Sequence, residues 1–351
     1  MAVVELQAAD EPAWEAFVRS CPDALVFHHP AWLHALRTAY GYEPLVLGHR
    51  DATGALDGVL PLVRKHGLIT GRRLVSLPHT PVAGPVARDA AVAGSLAGAA
   101  LERARDGALS LELKTRDGTL EGCSELLGAA WSTTFVLPLP DDPDALRFGN
   151  ARNHRRITWS VGKASRDGVS VREAGSEDDL RAWHALYVEA MRAHAVPPRP
   201  YRFFAALWAH LRPQGMLRVL LAERERRLLA GSVFLMSGST VFYAYNGRRR
   251  EDLAHRPNAM IQWNAIHDAA RDGFRRYDLG EVEDDQPGLV AFKKGWGARP
   301  EQLYRHIDPP QRAHGDRRRA LERAQFARRR VWRRLPRPAT QAIGDLMYRF
   351  L

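Results

Sequence analysis

Residues 258–298, NAMIQWNAIHDAARDGFRRYDLGEVEDDQPGLVAFKKGWGA, contain the clearest helix-to-strand succession in the chain. The first part predicts an amphipathic helix over 258–272, because its apolar residues recur at helical spacing. RRYDLGE (275–281) then has the pattern of a short buried strand. A glycine-containing loop and a closing segment, FKKGWGARPEQLYRHI (292–307), follow it.

The residues before this stretch continue the same mixture of helices and strands. They predict, in chain order, a strand at 169–174, helices at 177–195 and 201–212, a strand at 216–223 and a hairpin joining 228–236 to 240–246. Phe242, Tyr243 and Tyr245 in the hairpin are interpreted as sheet core rather than as a platform for stacking nucleic-acid bases.

The N-terminal part has similar length and content. Its helices are predicted at 11–20, 30–40, 89–105 and 121–130, and its strands at 42–50, 56–65, 72–78, 108–115 and 132–139. Pro30 suits the first turn of the second helix, and Gly41 ends it. The loop HTPVAGP (79–85) separates the third strand from the third helix.

A boundary between two units is predicted at LPLPDDPD (137–144), because three prolines and three aspartates cannot continue a strand. A basic helix over 147–164 opens the second unit. We therefore predict an α/β (α+β) protein with a first domain at 1–144, a second at 145–308 and a basic helical tail at 309–351. Each domain is expected to have a mixed sheet flanked by helices.

The net charge of +11 is concentrated in the tail, where residues 311–337 contain eleven arginines against Asp316 and Glu322. The preceding body is nearly neutral, so charge alone does not indicate that it binds nucleic acid. No apolar run approaches the roughly 20 residues that span a bilayer, and the acidic N-terminus does not resemble a signal peptide. These features favour the cytoplasm.

The metal-ligating residue types show no pattern typical of a site. The two cysteines, Cys21 and Cys123, have no CxxC spacing, and the histidines form no HxxxH or HxH pair on a predicted element. We therefore expect no metal ion and no cofactor.

The motif AFKKGWGA (291–298) is the strongest candidate for chemistry. Lys293 places a long-reaching positive charge after a glycine-containing loop, as a phosphate or a developing oxyanion requires. Trp296 is framed by two glycines. In the alternative interpretation, Phe292 and Trp296 are core residues and the lysines are solvated.

Several motifs in order along residues 10–308 resemble the Fem-type peptidyltransferases and their acetyltransferase-like (GNAT) relatives. They are WLHALRTAYG (32–41), LPHTPVAGP (77–85), NHRRI (153–157), MRAHAVPPRPYRFF (191–204), NAMIQWNAIHDAARDGFRRYDLG (258–280) and FKKGWGA (292–298). The resemblance implies two tandem GNAT-like domains with a cleft between them. It also implies that an aminoacyl group carried by tRNA is transferred in the cleft to an amine of a nucleotide-linked or lipid-linked cell-wall precursor.

The resemblance also implies roles for particular residues. Lys293 corresponds to the family's lysine near the reaction centre. Arg192 and Tyr201, with Arg199 beside them, correspond to residues that hold the acceptor's phosphates, and Arg37 corresponds to a basic residue that contacts the acceptor. Asp278 and Trp296, in the two motifs that surround Lys293, are expected to contact substrate.

The sequence departs from the family at two points. No heptad repeat for a coiled-coil arm occurs between 150 and 310. Where relatives often have an arginine after the strand glycine, this chain has Glu281, followed by Glu283, Asp284 and Asp285. Glu281 is a candidate to hold the attacking ammonium or to act as a base, and a solvated acidic turn is the alternative.

The acyl donor is the least determined feature. A CoA-dependent acetyltransferase receives the pyrophosphate on backbone N–H groups of a glycine-rich helix start, and YNGRRREDLAHRPNAM (245–260) lacks those glycines. Pro257 removes one N–H before a helix that Asn258 is predicted to cap. An acyl-CoA or acyl-carrier donor remains the alternative, since four arginines in this stretch offer side-chain donors to phosphates.

Three interpretations of the tail remain open: a tRNA contact, a peripheral contact with anionic membrane lipid, and a helix packed on the body. A non-catalytic RNA- or membrane-binding module is a third class of function beside the two acyltransferases. The sequence does not indicate an oligomeric state.

Overall fold

The computed structural model describes residues 2–67, 71–282, 286–308 and 337–350. The helices in this part are α1 (Glu11–Ser20), α2 (Pro30–Tyr40), α3 (Ala90–Asp106), α4 (Ala151–Arg166), α5 (Glu177–His194), α6 (Tyr201–Leu211), α7 (Pro257–Arg271), α8 (Pro287–Gly295) and α9 (Arg337–Phe350). The strands are β1 (Ala2–Glu5), β2 (Glu43–Arg50), β3 (Leu56–Gly67), β4 (Gly71–Val75), β5 (Val86–Ala87), β6 (Ser110–Thr115), β7 (Gly128–Pro138), β8 (Ser170–Glu173), β9 (Leu217–Arg224), β10 (Arg227–Ser237), β11 (Thr240–Arg248), β12 (Arg276–Val282) and β13 (Arg299–Asp308).

All of these strands belong to one mixed sheet. Its order is β1-β2-β3-β4-β6-β13-β7-β12-β11-β10-β9-β8, with β5 paired to β3 at the side. The pairs β4–β6 and β11–β12 are parallel, and the other pairs are antiparallel. The predicted α/β class with a mixed sheet and flanking helices is confirmed.

The two halves of the chain exchange strands at the centre of the sheet. β7, which precedes the predicted boundary, lies between β13 and β12. β13, which closes the second half, lies between β6 and β7. One hydrogen-bonded sheet therefore runs through both predicted units, and the division at 144 stays a prediction.

Helices cover both faces of the sheet. α3 packs on the face that carries Leu60 and Leu111 in the first half. α1, α2, α5 and α6 enclose a core that spans both halves, in which the rings of Trp32 and Phe203 meet edge to face at 6.2 Å. α4 and α7 enclose a third core around Phe148. α2 and α6 are in contact, so helices from both halves of the chain meet in this core.

The helix boundaries follow the capping residues. Asp89, Asn150 and Ser176 each accept a backbone N–H three residues ahead and so begin α3, α4 and α5. Gly41 ends α2 in the left-handed conformation, with φ of 70°. The predicted helices 11–20 and 30–40 are confirmed to the residue.

The helix predicted at 121–130 is wrong. Residues 121–127 form turns, with Gly122 at φ of 71°, and β7 already begins at Gly128. Gly128 pairs with His306 of β13, far away in the sequence. This long-range pairing overrides the local helix preference of the segment.

Of the helical tail predicted at 309–351, residues 337–350 form α9, and residues 309–336 and 351 lie outside the described residues. None of the helices in the described ranges is long and apolar enough to cross a membrane.

Candidate functional site

Two parallel strands diverge at the centre of the second half. β11 and β12 are paired only from Thr240–Arg276 to Phe242–Asp278. Beyond this point β11 has an irregularity opposite β10, where Tyr243 pairs with Phe234 but Tyr245 pairs with the adjacent Val233. Such a bulge bends a strand away from its neighbour. The C-terminal parts of β11 and β12, which contain Tyr245 and Gly280 respectively, are therefore not paired with each other.

Lys293 of α8 lies at this divergence. Its side chain is only 3% exposed, and its Nζ donates hydrogen bonds to the carbonyl oxygens of Gly280 at 2.8 Å and Glu281 at 3.0 Å. Burial lowers the pKa of Lys293 to about 8, while the charges of Asp278 and Glu281 oppose this shift. The amine is therefore mostly protonated near neutral pH, with two of its three N–H donors bound to backbone.

Asp278 is buried in β12, with 1% of its surface exposed. Its Oδ1 accepts hydrogen bonds from Thr134 Oγ1 at 2.6 Å and from the Gly280 backbone N–H at 2.8 Å. Burial raises the pKa of Asp278, and these two hydrogen bonds only partly offset it. The backbone at Gly280, whose N–H donates to Asp278, has a φ of 82°, which glycine adopts without strain.

Glu281 connects this group to the first half of the chain. Its side chain is exposed, and its charge acts to raise the pKa values of both Lys293 and Lys114 of β6. The structure thus brings together Lys293, Glu281 and Asp278. The other acidic residues predicted in this turn, 283–285, lie outside the described part of the chain.

Arg199 is also brought to the centre of the molecule. Its guanidinium carbon lies 5.2 Å from the ring centroid of Phe203, 5.6 Å from Tyr245 and 4.7 Å from Tyr348 of α9. Its positive charge acts to lower the pKa of Lys114. The predicted substrate-binding arginine is thus held on aromatic faces and shares the electrostatic environment of the sheet centre.

The remaining predicted residues lie elsewhere. Tyr201 packs against α5, with the guanidinium carbon of Arg181 4.6 Å from its ring centroid. Arg37 is exposed on α2, and Arg192 is in the last turn of α5. Their roles in binding substrate stay predictions.

Trp296 is a buried core residue. Its ring meets Phe148 edge to face, with the centroids 4.9 Å apart, in the core beneath α4 and α7. This packing supports the alternative interpretation of Trp296 as core, and its predicted contact with substrate has no support in the described contacts.

Three residues that the sequence patterns did not indicate, Lys65, His79 and Lys114, lie near Arg199 together with Tyr245 of the predicted sheet core. Lys65, His79, Lys114 and Tyr245 converge there from β3, the loop after β4, β6 and β11. One signal was present in the sequence, because lysine is scarce in this chain. The structure adds another, because Leu77 and His79 lie in the left-handed region, with φ of 50° and 68°. Such strained non-glycine residues cluster at functional sites.

The N-terminus of α7 differs from the prediction. Arg256 is the N-cap residue, at φ of 57° and without a side-chain hydrogen bond, and Pro257 is the first helical residue. Asn258 does not cap the helix, because its Oδ1 accepts from Asn246 Nδ2 at 3.1 Å. The prediction that Asn258 caps the helix is therefore wrong.

The C-terminal helix α9 packs over the Arg199 cluster. The Tyr42 hydroxyl donates to the backbone oxygen of Tyr348 at 3.1 Å, and the Tyr348 hydroxyl donates to the oxygen of Pro197 at 3.2 Å. Arg202 of α6 forms an ion pair with Asp345 at 2.6 Å. The described part of the tail is thus attached to residues of both halves.

Comparisons with known proteins give a consistent result. The acetyltransferase (GNAT) domain family matches residues 149–294. Over 134 residues the chain is 31% identical to UDP-N-acetylmuramoylpentapeptide-lysine N(6)-alanyltransferase of Weissella viridescens. That match covers 36% of this chain and 38% of the relative, so the similar region is well under half of either protein.

Solved structures show the same fold over most of the chain. The crystal structure of FemX aligns with a TM-score of 0.68 and 15% identity, covering 87% of this chain and 97% of FemX. The C-terminal domain of a putative lysylphosphatidylglycerol synthetase from Agrobacterium fabrum aligns with a TM-score of 0.60 and 12% identity, covering 90% and 95%. At these identities, the likeness concerns the fold.

Proposed function

Because the chain belongs to the FemAB/FemX-like family of GNAT-fold proteins, we propose that it is an N-acyltransferase that moves an aminoacyl group to an amine. The donor in this proposal is aminoacyl-tRNA. The acceptor is an amine of a nucleotide-linked or lipid-linked cell-wall, polysaccharide or peptide precursor. The observation that supports the proposal best is the buried Lys293 ammonium, held at the divergence of β11 and β12.

Lys293 suits the stabilisation of a tetrahedral oxyanion. Two N–H groups are fixed by the carbonyl oxygens of Gly280 and Glu281, which orients the third. A positive group that is already positioned in a water-poor site stabilises developing negative charge without reorganising during the reaction. An aminoacyl ester is an activated acyl donor, so positioning of the two substrates supplies much of the remaining acceleration.

Proton transfer is assigned to Glu281. The acceptor arrives as an ammonium, and the exposed Glu281 carboxylate takes its proton. The freed amine attacks the ester carbonyl carbon, and the carbonyl electrons move onto the oxygen near Lys293. When the intermediate collapses, the bond to the ribose oxygen breaks, and that oxygen leaves with the proton from Glu281. The attacking nitrogen gives its remaining excess proton to the regenerated Glu281 carboxylate, from which it passes to solvent, and a neutral amide results. The buried Asp278 positions Gly280 and its charge favours protonated Lys293.

Arg199 suits an anionic group of the acceptor. A guanidinium held on aromatic rings keeps its charge, and its Nη1, which has no acceptor among the described residues, can donate to a phosphate oxygen, while Nη2 donates to the His79 carbonyl oxygen. The names of the relatives are consistent in kind with such acceptors, since one acts on a UDP-linked pentapeptide and another is a putative phosphatidylglycerol-modifying enzyme. In this proposal the protein works on the cytoplasmic side of the membrane, and the basic tail contacts tRNA or anionic lipid.

A transfer assay with the full chain tests the proposal. Total tRNA charged with radiolabelled amino acids, or radiolabelled acetyl-CoA in a parallel reaction, is incubated with UDP-linked muramoyl pentapeptide and, separately, with lysine-bearing lipid precursor. We expect label to move from tRNA to an acceptor. Lys293→Met is expected to reduce the rate by about 100-fold, the size of effect seen when one oxyanion donor is removed.

The matched control is Lys294→Met, because Lys294 is the adjacent residue and is exposed. It is expected to keep nearly the full rate. Transfer from acetyl-CoA alone would replace the tRNA donor with the acyl-CoA alternative. Equal loss of activity in both variants, or transfer that does not depend on Lys293, would contradict the assigned role.

A further inference from the structure

Two buried lysines lie near one another in the first half of the sheet. Lys65 of β3 is 3% exposed and Lys114 of β6 is 8% exposed. Side chains alternate between the faces of a strand, and Lys65 follows Val63 of the core beneath α2 by two residues. Lys114 is adjacent to Leu113, which packs on the α3 face. Both lysines therefore point to the α2 face, the side on which the two halves meet.

Among the residues that the structure describes, neither amine forms an ion pair with a carboxylate. The Nζ of Lys65 has no hydrogen-bond acceptor among the described residues and lies 5.7 Å from the ring centroid of Tyr42. The Nζ of Lys114 donates to the carbonyl oxygen of Thr80 at 3.0 Å and lies 5.9 Å from the ring centroid of Trp131. Burying an unpaired ammonium is costly, so these positions require a compensating ligand or function.

The nearest carboxylate is already engaged. Glu112 of β6 raises the pKa of both lysines, but Arg73 and Arg305 each form an ion pair with it at 3.3 Å. Burial is the larger effect and lowers the pKa of Lys65 and of Lys114 to about 8. Both amines are thus mostly charged at neutral pH. The two lysines, the two arginines and Glu112 together therefore have an excess of positive charge.

His79 occupies the space common to this pair and Arg199. Burial lowers the pKa of His79 well below its usual value, and the charges of Arg199, Lys65 and Lys114 lower it further. The imidazole is therefore neutral, and its Nε2 lies 3.0 Å from the Tyr42 hydroxyl. The neutral ring adds no positive charge among Lys65, Lys114 and Arg199 and supplies no negative charge that would screen these cations from one another.

The polar atoms left over around this space are donors, except for the Tyr40 hydroxyl next to His79, which can both donate and accept. In the described part of the molecule, the buried Nη1 of Arg199 and the buried indole Nε1 of Trp131 also have no hydrogen-bond acceptor. Ammonium, guanidinium and indole groups donate hydrogen bonds and accept none. A set of unsatisfied donors with excess positive charge matches a ligand group made of oxygen acceptors with negative charge.

We propose that Lys65 and Lys114 form an oxyanion-binding site that holds a phosphate or carboxylate group of a substrate. The site lies in the first half of the chain and is separate from the Lys293 amine in α8. Assigning that group to the acceptor rests on the proposed transferase function, whereas the binding of an anion does not.

Anion binding is tested by calorimetry on the full chain, with pyrophosphate and citrate as probes of the two oxyanion classes. We expect wild-type protein to bind at least one of them with a Kd of about 1 mM or lower. Lys65→Met and Lys114→Met are each expected to weaken binding by at least tenfold, while Lys294→Met changes it less than twofold. Preference for pyrophosphate or for citrate identifies the oxyanion class.

Thermal unfolding without anion separates a binding role from a structural one. Replacing an unpaired buried ammonium with an apolar side chain is expected to raise the Tm of Lys65→Met by about 1–3 °C. A lower Tm would show that Lys65 has a stabilising partner and would overturn the proposal. Absence of saturable binding by the wild type, or unchanged binding by Lys65→Met and Lys114→Met, would also overturn it.

Side-chain NMR of the lysines gives a direct readout. The chain has few lysines, so single variants assign the signals. The bound anion is expected to raise the pKa of both Lys65 and Lys114 and to leave Lys163, which pairs with Asp167 on the surface, unchanged. If the anion binds with these shifts but the chain transfers no aminoacyl group, the transferase proposal fails and the anion site stands.

Discussion

The ring centroid of Tyr348 lies 4.7 Å from the guanidinium carbon of Arg199, so the C-terminal helix covers the arginine assigned to substrate. The same ring meets His79 edge to face, with the centroids 5.3 Å apart. Residues more than a hundred positions apart in the sequence thus close one side of the cluster at the junction of the two halves.

Tyr348→Ala is expected to lower the free energy of unfolding by about 1–3 kcal/mol, because it removes the cation–π contact with Arg199 and the hydrogen bond to Pro197. Denaturant unfolding measures the change. Tyr348→Phe keeps the ring and loses only the hydroxyl, and should cost about 1 kcal/mol or less. Equal losses in the two variants would mean that the ring contact contributes nothing.

The rate of transfer is expected to fall as the pH rises through about 8, because the positive form of Lys293 is lost there. Lys293→Arg keeps the charge at all of these pH values, so its alkaline limb should move upward even if its maximal rate is lower. A pH–rate profile of both proteins checks this. A limb that stays near pH 8 in Lys293→Arg would belong to another group, such as Lys65 or Lys114.

Gly280→Ala is expected to destabilise the protein by about 1–2 kcal/mol, because a side chain at φ of 82° strains the backbone. Space is not the cause, since the nearest atoms to an added Cβ are Tyr243 O at 3.8 Å and Lys293 Nζ at 3.9 Å. Gly288→Ala in α8 is the control, because an added Cβ there meets no described atom within 4 Å. It should be neutral or slightly stabilising, and chemical denaturation compares the two.

Asp278→Asn is expected to stabilise the fold at pH 7 while reducing transfer. Burial raises the folded-state pKa of Asp278, so the native state binds more protons than the unfolded state as this carboxyl titrates. Its contribution to stability is therefore present at low pH and is lost as the pH rises through the raised pKa. Unfolding from pH 3 to 7 should show the variant's advantage growing with pH. An advantage that is constant with pH would contradict the raised pKa.

Trp296→Phe tests whether Trp296 is part of the core or of the substrate site. If Trp296 is a core residue packed on Phe148, the Trp296→Phe protein should have a lower free energy of unfolding, and its KM for both substrates should be unchanged. Steady-state kinetics and denaturation on the same samples provide the comparison. An increase in KM without loss of stability would restore the predicted contact with substrate.

Local signals in the sequence predicted much of the fold. The proline at the start of α2 and the glycine after it set that helix to the residue, since both act through backbone geometry within one turn. Lys293 was found because its glycine-rich motif is contiguous. Lys65 and Lys114 were missed, because they are 49 positions apart and their strands are not adjacent in the sequence.

The amino-acid sequence by itself determined most of the elements, the α/β class and the motif around Lys293, because periodicity, caps and turns operate over a few residues. Only the tertiary structure decided that β7 and β13 change places between the halves, that Arg199 lies under Tyr348, and that Trp296 is core. Each of these depends on pairing or packing between distant segments, where buried area and hydrogen bonds across the whole sheet outweigh local preference.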